Sequence, residues 1–298
     1  MRGSVAWLAV LALVLASAAA RSARAETVQL VVDGQQRTYL LERPHGREPR
    51  PTLIMLHGAG GTAQGLAQWS GLAQSGPRDA FAVVFPQSHA HVWNRFLPGT
   101  ESPEAIEMFR PFGGPPNDVG FLKALIADLV QRGIADPARI YLAGYSNGGF
   151  MTLTMFCLAR GQFAGIGLIL SSMSERIGDE CHPARPVPVL MLNGTADAVV
   201  PYRGGVVPPL DRSRPAPTFV VWSADRVVAF FRRLNGCSEP AQSSAVWNPQ
   251  PQSIEVEFSG NCAGGPVAFY RVVGGGHQVP AVLNAGQMLL DFFRDKVR

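Results

Sequence analysis

Apolar residues along this 298-residue chain fall into two alternating kinds of run. Thr52 to Leu56, Phe81 to Phe85, Arg139 to Ala143, Gly165 to Leu170 and Val187 to Leu192 are short and almost unbroken, as expected of strands buried on both faces of a parallel sheet. Between and after them lie longer stretches with helical spacing: Thr62 to Gln74, Asp118 to Gln131, Asn147 to Ala159, Ser223 to Leu234 and Ala281 to Lys296. In the second of these stretches, Val119, Leu122, Leu125, Ile126 and Leu129 mark one face of a helix. Thr27 to Val32 and Arg37 to Glu42 flank Asp33-Gly34 and predict an opening hairpin. Ile254 to Phe258 and Val267 to Val273 predict two late strands. Strands alternating with helices predict an α/β fold whose mainly parallel central sheet carries helices on both faces.

Two segments break the rhythm. Pro86 to Pro116 is rich in Pro, Gly, His and aromatic residues, and a connection of that length is expected to be a functional or disordered loop. Pro201 to Pro217 is a second Pro-rich stretch. There is no repeat or heptad array, so residues 26–298 are expected to form one catalytic-sized domain.

The first 25 residues belong to another category. Arg2 precedes an uncharged run from Val5 to Ala20, and Ala23-Arg24-Ala25 fits the small-x-small site of signal peptidase. The run falls short of the roughly 20 residues that span a bilayer. Cleavage after Ala25 is therefore expected, giving a secreted or periplasmic protein without a membrane segment. Three of the 26 basic residues, Arg2, Arg21 and Arg24, leave with the leader, so 23 remain against 22 acidic ones. A nearly neutral mature chain gives no reason to expect a nucleic-acid partner. Nothing in the sequence fixes an oligomeric state. Cys157, Cys181, Cys237 and Cys262 fit disulfides in an oxidising compartment, with three pairings open. None has C-x-x-C spacing, and His89 and His91 have no third ligand near them, so no metal is expected.

Gly144-Tyr145-Ser146-Asn147-Gly148 matches G-x-S-x-G. In a chain with 32 glycines the pattern alone is weak. Its position between an apolar strand and a helix is what a nucleophile elbow requires, because the sharp turn lifts the Ser hydroxyl clear of the sheet. A hydroxyl needs a base, and in this arrangement the partners follow in the order acid, then His. Of six His, only His277 follows the last strand, on Gly274-Gly275-Gly276. Asp197, in Gly194-Thr195-Ala196-Asp197, hangs from the strand after the nucleophile and is the candidate acid; Asp211 and Asp225 are rivals. The oxyanion of acyl transfer needs two N–H donors. Asn147, next after the nucleophile, and Ala59, in His57-Gly58-Ala59-Gly60-Gly61, are the candidates, with Gly60 as substitute and His57 holding the loop. Trp93, Asn94 and Phe96 are candidate walls for the substrate.

Taken together, His57-Gly58, Trp93-Asn94, Asn117-Asp118-Val119-Gly120-Phe121, Gly144 to Gly149, Gly194 to Asp197 with Pro201-Tyr202, and Gly275-Gly276-His277 resemble the polyhydroxybutyrate depolymerase-like esterases. That group is similar to the feruloyl and acetylxylan esterases of carbohydrate esterase family 1. The resemblance implies an α/β-hydrolase fold, a triad of Ser146, Asp197 and His277, and disulfides Cys237–Cys262 and Cys157–Cys181. Asn193 and Val279 stand where the family often has His and Trp. No separate polymer-binding domain is expected, so soluble esters or oligomers are the expected substrates, hydrolysed through an acyl-enzyme without a cofactor. An acyltransferase with the same triad, and a secreted binding protein on a hydrolase scaffold, are the competing readings.

Overall fold

The computed structural model of the protein describes residues 24–208, 218–238, 242–247 and 253–298; the expected leader up to position 23 and the rival acid Asp211 lie outside them. The strands are β1 (Arg24–Val32), β2 (Gln35–Arg43), β3 (Arg50–Leu56), β4 (Ala82–Pro86), β5 (Ala135–Tyr145), β6 (Gly165–Ile169) and β7 (Val189–Gly194), then β8 (Gly205–Val207), β9 (Phe219–Val221), β10 (Gln242–Trp247), β11 (Ser253–Ser259) and β12 (Val267–Val273). The helices are α1 (Ala63–Ser70), α2 (Leu72–Arg78), α3 (Pro103–Phe109), α4 (Asp118–Gln131), α5 (Asn147–Leu153), α6 (Glu175–Asp179), α7 (Ala224–Leu234) and α8 (Ala285–Phe293).

Ten strands make one sheet in the order β1-β2-β4-β3-β5-β6-β7-β12-β11-β10. The six in the middle, from β4 to β12, are parallel, and an antiparallel hairpin flanks each side. Side chains alternate across this sheet. Along β3, Leu53 and Met55 join the core under α1, α2 and α8, whereas Ile54 and Leu56 join the core under α4, α5 and α7. Both faces are dry, which is why the sequence reads as unbroken apolar runs; each fully buried Leu, Ile or Val contributes roughly 1.5–3 kcal/mol. Since β3, β5, β7 and β12 all run the same way, residues 57–61, 146, 195–197 and 274–277 emerge at one edge. That edge, at the carboxyl ends of the strands, is where ligands bind in open α/β sheets.

Several expected boundaries shift. The single helix foreseen over 62–74 is two helices, because Gly71 takes a left-handed conformation (φ 67) between them. The long 86–116 connection is structured, with α3 inside it: Ser102 caps the helix by accepting from the Ala105 N–H, and Pro103 opens it. Only Ala105 and Phe109 of α3 are buried, too few to register as periodicity. The helix after Ser146 ends earlier than foreseen and passes into a π-helical turn at Thr154–Leu158. The last helix starts at Ala285, where the Asn284 side chain caps it, and not at Ala281. Helix α6, the small β8–β9 pair and edge strand β10 were not foreseen. The disulfides are Cys157–Cys181 and Cys237–Cys262, as the resemblance implied. Among the described residues no helix is long and apolar enough to cross a membrane.

Candidate active site

Ser146 sits on the turn from β5 into α5 with φ 52 and ψ −116, a conformation that costs a non-glycine residue of order 1–3 kcal/mol. Its surroundings enforce it. The Ser146 N–H donates to the Ile169 carbonyl of β6 at 2.9 Å, and its own carbonyl accepts from Gly149 at 2.8 Å. The flanking glycines are required for approach: a Cβ on Gly144 would lie 2.2 Å from the Gly148 backbone, and one on Gly148 would lie 2.4 Å from the Leu56 carbonyl oxygen. The elbow is wedged between β3 and β6, and no side chain fits there.

The His277 Nε2 lies 2.9 Å from Ser146 Oγ, and its Nδ1 lies 2.7 Å from Asp197 Oδ2. A carboxylate only accepts, so Nδ1 carries the imidazole proton and Nε2 is left to accept from the Ser hydroxyl. The second Asp197 oxygen accepts the N–H groups of Val199 and Val200, both at 2.8 Å, which fixes the carboxylate plane. The two loops are stitched together. Ala196 N–H donates to the Gly275 carbonyl at 2.8 Å, and Gly274 N–H donates to Thr195 Oγ1 at 2.8 Å. Gly194 permits this, because a Cβ there would lie 2.3 Å from the Gly275 oxygen. The rival Asp225 is engaged elsewhere, with Tyr202 and Arg271.

Of the three N–H groups considered for an oxyanion, Gly60 is already donating, to the His91 carbonyl at 2.8 Å. Among the described residues those of Ala59 and Asn147 have no acceptor. His57 is fully engaged in holding their loop. Its Nδ1 donates to the Gly58 carbonyl at 2.8 Å and its Nε2 accepts from Ser88 N–H at 3.2 Å. Burial pushes its pKa below the usual histidine value, so the ring is neutral at pH 7.

Trp93 and Asn94 do not wall a substrate cleft as expected; they are 1 % and 2 % exposed and lie beneath the site. The Trp93 N–H donates to Asn147 Oδ1 at 2.7 Å, and its indole N–H to the His57 carbonyl at 2.9 Å. Asn94 N–H donates to Asp118 Oδ2 at 2.7 Å, and Asp118 in turn pairs with Arg37 at 2.5 Å. Burial raises the Asp118 carboxyl to about 6 against the opposing pull of Arg37. Phe96, the third candidate, has the guanidinium groups of Arg95 and Arg176 at 5.2 and 5.1 Å from its ring centre and lines a separate small pocket.

The cleft has other walls. A space of about 540 Å³ is bounded by the 57–61 loop, Leu66, Trp69, Tyr145 and Val279. Tyr145, the variable residue of the G-x-S-x-G turn, also donates its hydroxyl to the His277 carbonyl at 3.0 Å. Burial, chiefly, and the Asp197 charge raise its pKa, which keeps that proton in place. Motif matching assigns such a position nothing, and Trp69 lies on the exposed side of α1, where an apolar residue breaks no pattern.

No protein-family model matches the chain. It is 30 % identical over 266 residues to NocK of Nocardia uniformis subsp. tsuyamanensis, a protein named as an esterase, covering 85 % of this chain and 73 % of that one. It is 30 % identical over 237 residues to feruloyl esterase B of Piromyces equi, covering 78 % of this chain but only 40 % of that longer protein. The fold superimposes on an acetyl xylan esterase from Aspergillus awamori with a TM-score of 0.62 at 15 % identity, over 90 % of this chain and 99 % of the other.

Proposed function

The chain belongs to the α/β-hydrolase esterases, and we propose that it hydrolyses carboxylic esters through an acyl-enzyme on Ser146. The observation that carries this reading is the unbroken line from Asp197 Oδ2 through both His277 nitrogens to Ser146 Oγ, at 2.7 and 2.9 Å. Ser146 Oγ attacks the ester carbonyl as His277 Nε2 takes its proton, and Asp197 stabilises the imidazolium. The former carbonyl oxygen gathers charge between the Ala59 and Asn147 N–H groups. When the tetrahedral intermediate collapses, the carbon–alkoxy bond breaks and His277 passes the proton to the departing alkoxide. Water, deprotonated by the same Nε2, then cleaves the acyl-enzyme and restores the Ser hydroxyl. Apart from the ester and water, each step draws on side chains and backbone of this chain.

The half-open cleft, with apolar Leu66, Trp69 and Val279, suits soluble esters with short acyl or aromatic groups, such as hydroxyalkanoate oligomers or feruloyl and acetyl esters. Two disulfides and the leader-like first 25 residues support export, with residues 26–298 as the mature catalytic domain. The test is turnover of p-nitrophenyl acetate, butyrate and octanoate and of methyl ferulate beside Ser146→Ala. Wild type should hydrolyse at least one, and the variant should lose at least about a thousandfold. Equal activity of the two proteins rules out Ser146 as nucleophile. Product going mainly to an added alcohol instead of water would make the chain an acyltransferase with the same site.

A further inference from the structure

Two cavities meet at Trp69. One is the cleft beside Ser146; the other, of about 260 Å³, is lined by Gln68, Gly71, Pro280, Ala281, Leu283 and Asn284. Trp69 and Val279 border both, so they form a divide between adjoining spaces. The Trp69 side chain is in tilted contact with Tyr145, ring centroids 5.3 Å apart, yet the residue is 50 % exposed. A half-exposed indole packed against Tyr145 and bordering both cavities offers area on which a flat or ring-shaped group can lie.

The proton path says which half of an ester each cavity takes. His277 must reach the leaving alkoxide oxygen, so the alcohol portion lies beside the His277 ring. The segment after His277 passes from one space to the other: Gln278 lines the cleft, Val279 lines both spaces, and Pro280, Ala281, Leu283 and Asn284 border the second cavity. The acyl portion, its carbonyl oxygen at the Ala59 and Asn147 amides, stays beside the 57–61 loop. Asn284 supplies a polar group to the second cavity. Its Oδ1 accepts from Gln287 N–H at 3.0 Å and caps α8, while its Nδ2 has no acceptor among the described residues. That NH₂ lies over Gly71, 4.0 Å from where a Cβ would stand, above backbone that carries no side chain.

We propose that this second cavity is the subsite for the alcohol portion of the ester, with Trp69 as its apolar wall and Asn284 Nδ2 donating to an oxygen on the alcohol. The alcohols it selects carry a second oxygen beyond the ester bond, as a hydroxy-ester unit or a polyol ring does. The proposal rests on the esterase reading of Ser146, so its first test avoids turnover. Ser146→Ala is titrated calorimetrically with methyl 3-hydroxybutyrate, methyl β-xyloside and cyclohexanol, the last having no second oxygen. Saturable binding of either oxygen-bearing alcohol is expected, and which of them binds names the class. Asn284→Asp keeps the cap acceptor and removes the donor; it should weaken that binding by about tenfold, a difference of one bond to a well-placed acceptor, without changing the weak binding of cyclohexanol. In the active enzyme, acetyl esters of the preferred alcohol should exceed methyl acetate in kcat/KM by about tenfold, and Trp69→Ala should bring that ratio towards one. Absence of binding by all three alcohols, or unchanged binding by Asn284→Asp, overturns the subsite even if esters are hydrolysed. Binding without hydrolysis of any ester leaves the subsite standing and removes the esterase reading instead.

Discussion

The strand-end loops that hold Ser146, Asp197 and His277 differ sharply from the cleft wall a few ångströms away. In the loops nearly every polar atom is committed: Asp197 accepts three hydrogen bonds, His57 uses both ring nitrogens, and the 195–197 and 274–277 segments are bonded to each other. The cleft wall is Leu66, Trp69 and Val279, which contribute shape and little else. A catalytic group must be held to within a fraction of an ångström, and that takes many bonds in a buried place. A wall that accepts an apolar group needs only area, so its residues can change with the substrate.

Substitutions can break this contrast or sharpen it. The largest effect should come from Asp197→Asn, which leaves the packing intact but favours the wrong imidazole tautomer. Here kcat should fall by about 10⁴ on every ester alike, with KM little changed. A variant whose loss depends on acyl chain length would show that the two regions are not separable. Next is Asp118→Ala, which strands the Arg37 guanidinium, 3 % exposed, without its counter-charge. Urea unfolding should register a loss of about 3–5 kcal/mol, and the Trp93–Asn94 segment under the oxyanion loop should loosen with it. If stability drops by less than about 1 kcal/mol, the pair does not anchor that segment.

Val279→Ala should do the opposite of Asp197→Asn. Removing two methyl groups from the wall should change the ratio of octanoate to acetate kcat/KM by roughly threefold to tenfold, with acetate kcat nearly unaffected. A uniform loss on all esters would place Val279 with the catalytic loops. The smallest effect is a pH dependence. Burial holds the His57 pKa below its unfolded value of 6.5, so between those two values the unfolded chain binds more protons than the folded one. His57 therefore contributes stability that is complete above pH 6.5 and declines as pH falls towards the folded value. Asp118 acts with the other sign: its carboxyl is raised from 3.8 to about 6, so its contribution grows as pH falls through that interval. Denaturation at pH 7.5 and 5.5 should show wild type losing more stability on acidification than His57→Gln, by at most about 1 kcal/mol. Equal losses would mean that His57 does not titrate in that window.

The hydrogen-bonded proximity of Ser146, Asp197 and His277 was legible because each is placed relative to a strand end, and strands buried on both faces are easy to recognise as apolar runs. The choice between the two oxyanion candidates of the 57–61 loop narrowed only in three dimensions, where the Gly60 N–H is occupied by the His91 carbonyl and the Ala59 N–H has no acceptor among the described residues. Trp93 and Asn94 misled because aromatic and amide side chains in a long loop suggest a binding surface. Their burial depends on Asp118 and Arg37, which are 81 residues apart in sequence. Helix α3 had a readable cap in Ser102-Pro103, but its single buried turn gave no periodicity to support it.

What the sequence by itself determined is the α/β alternation and the candidates Ser146, Asp197 and His277 for a triad, since each follows from local pattern: period, turn chemistry and position relative to a strand. Only the tertiary structure decided which residues line the cleft. Whether Trp69 or Trp93 lines the cleft depends on which way each side chain points once distant segments pack, and hydrophobicity is the same in both directions.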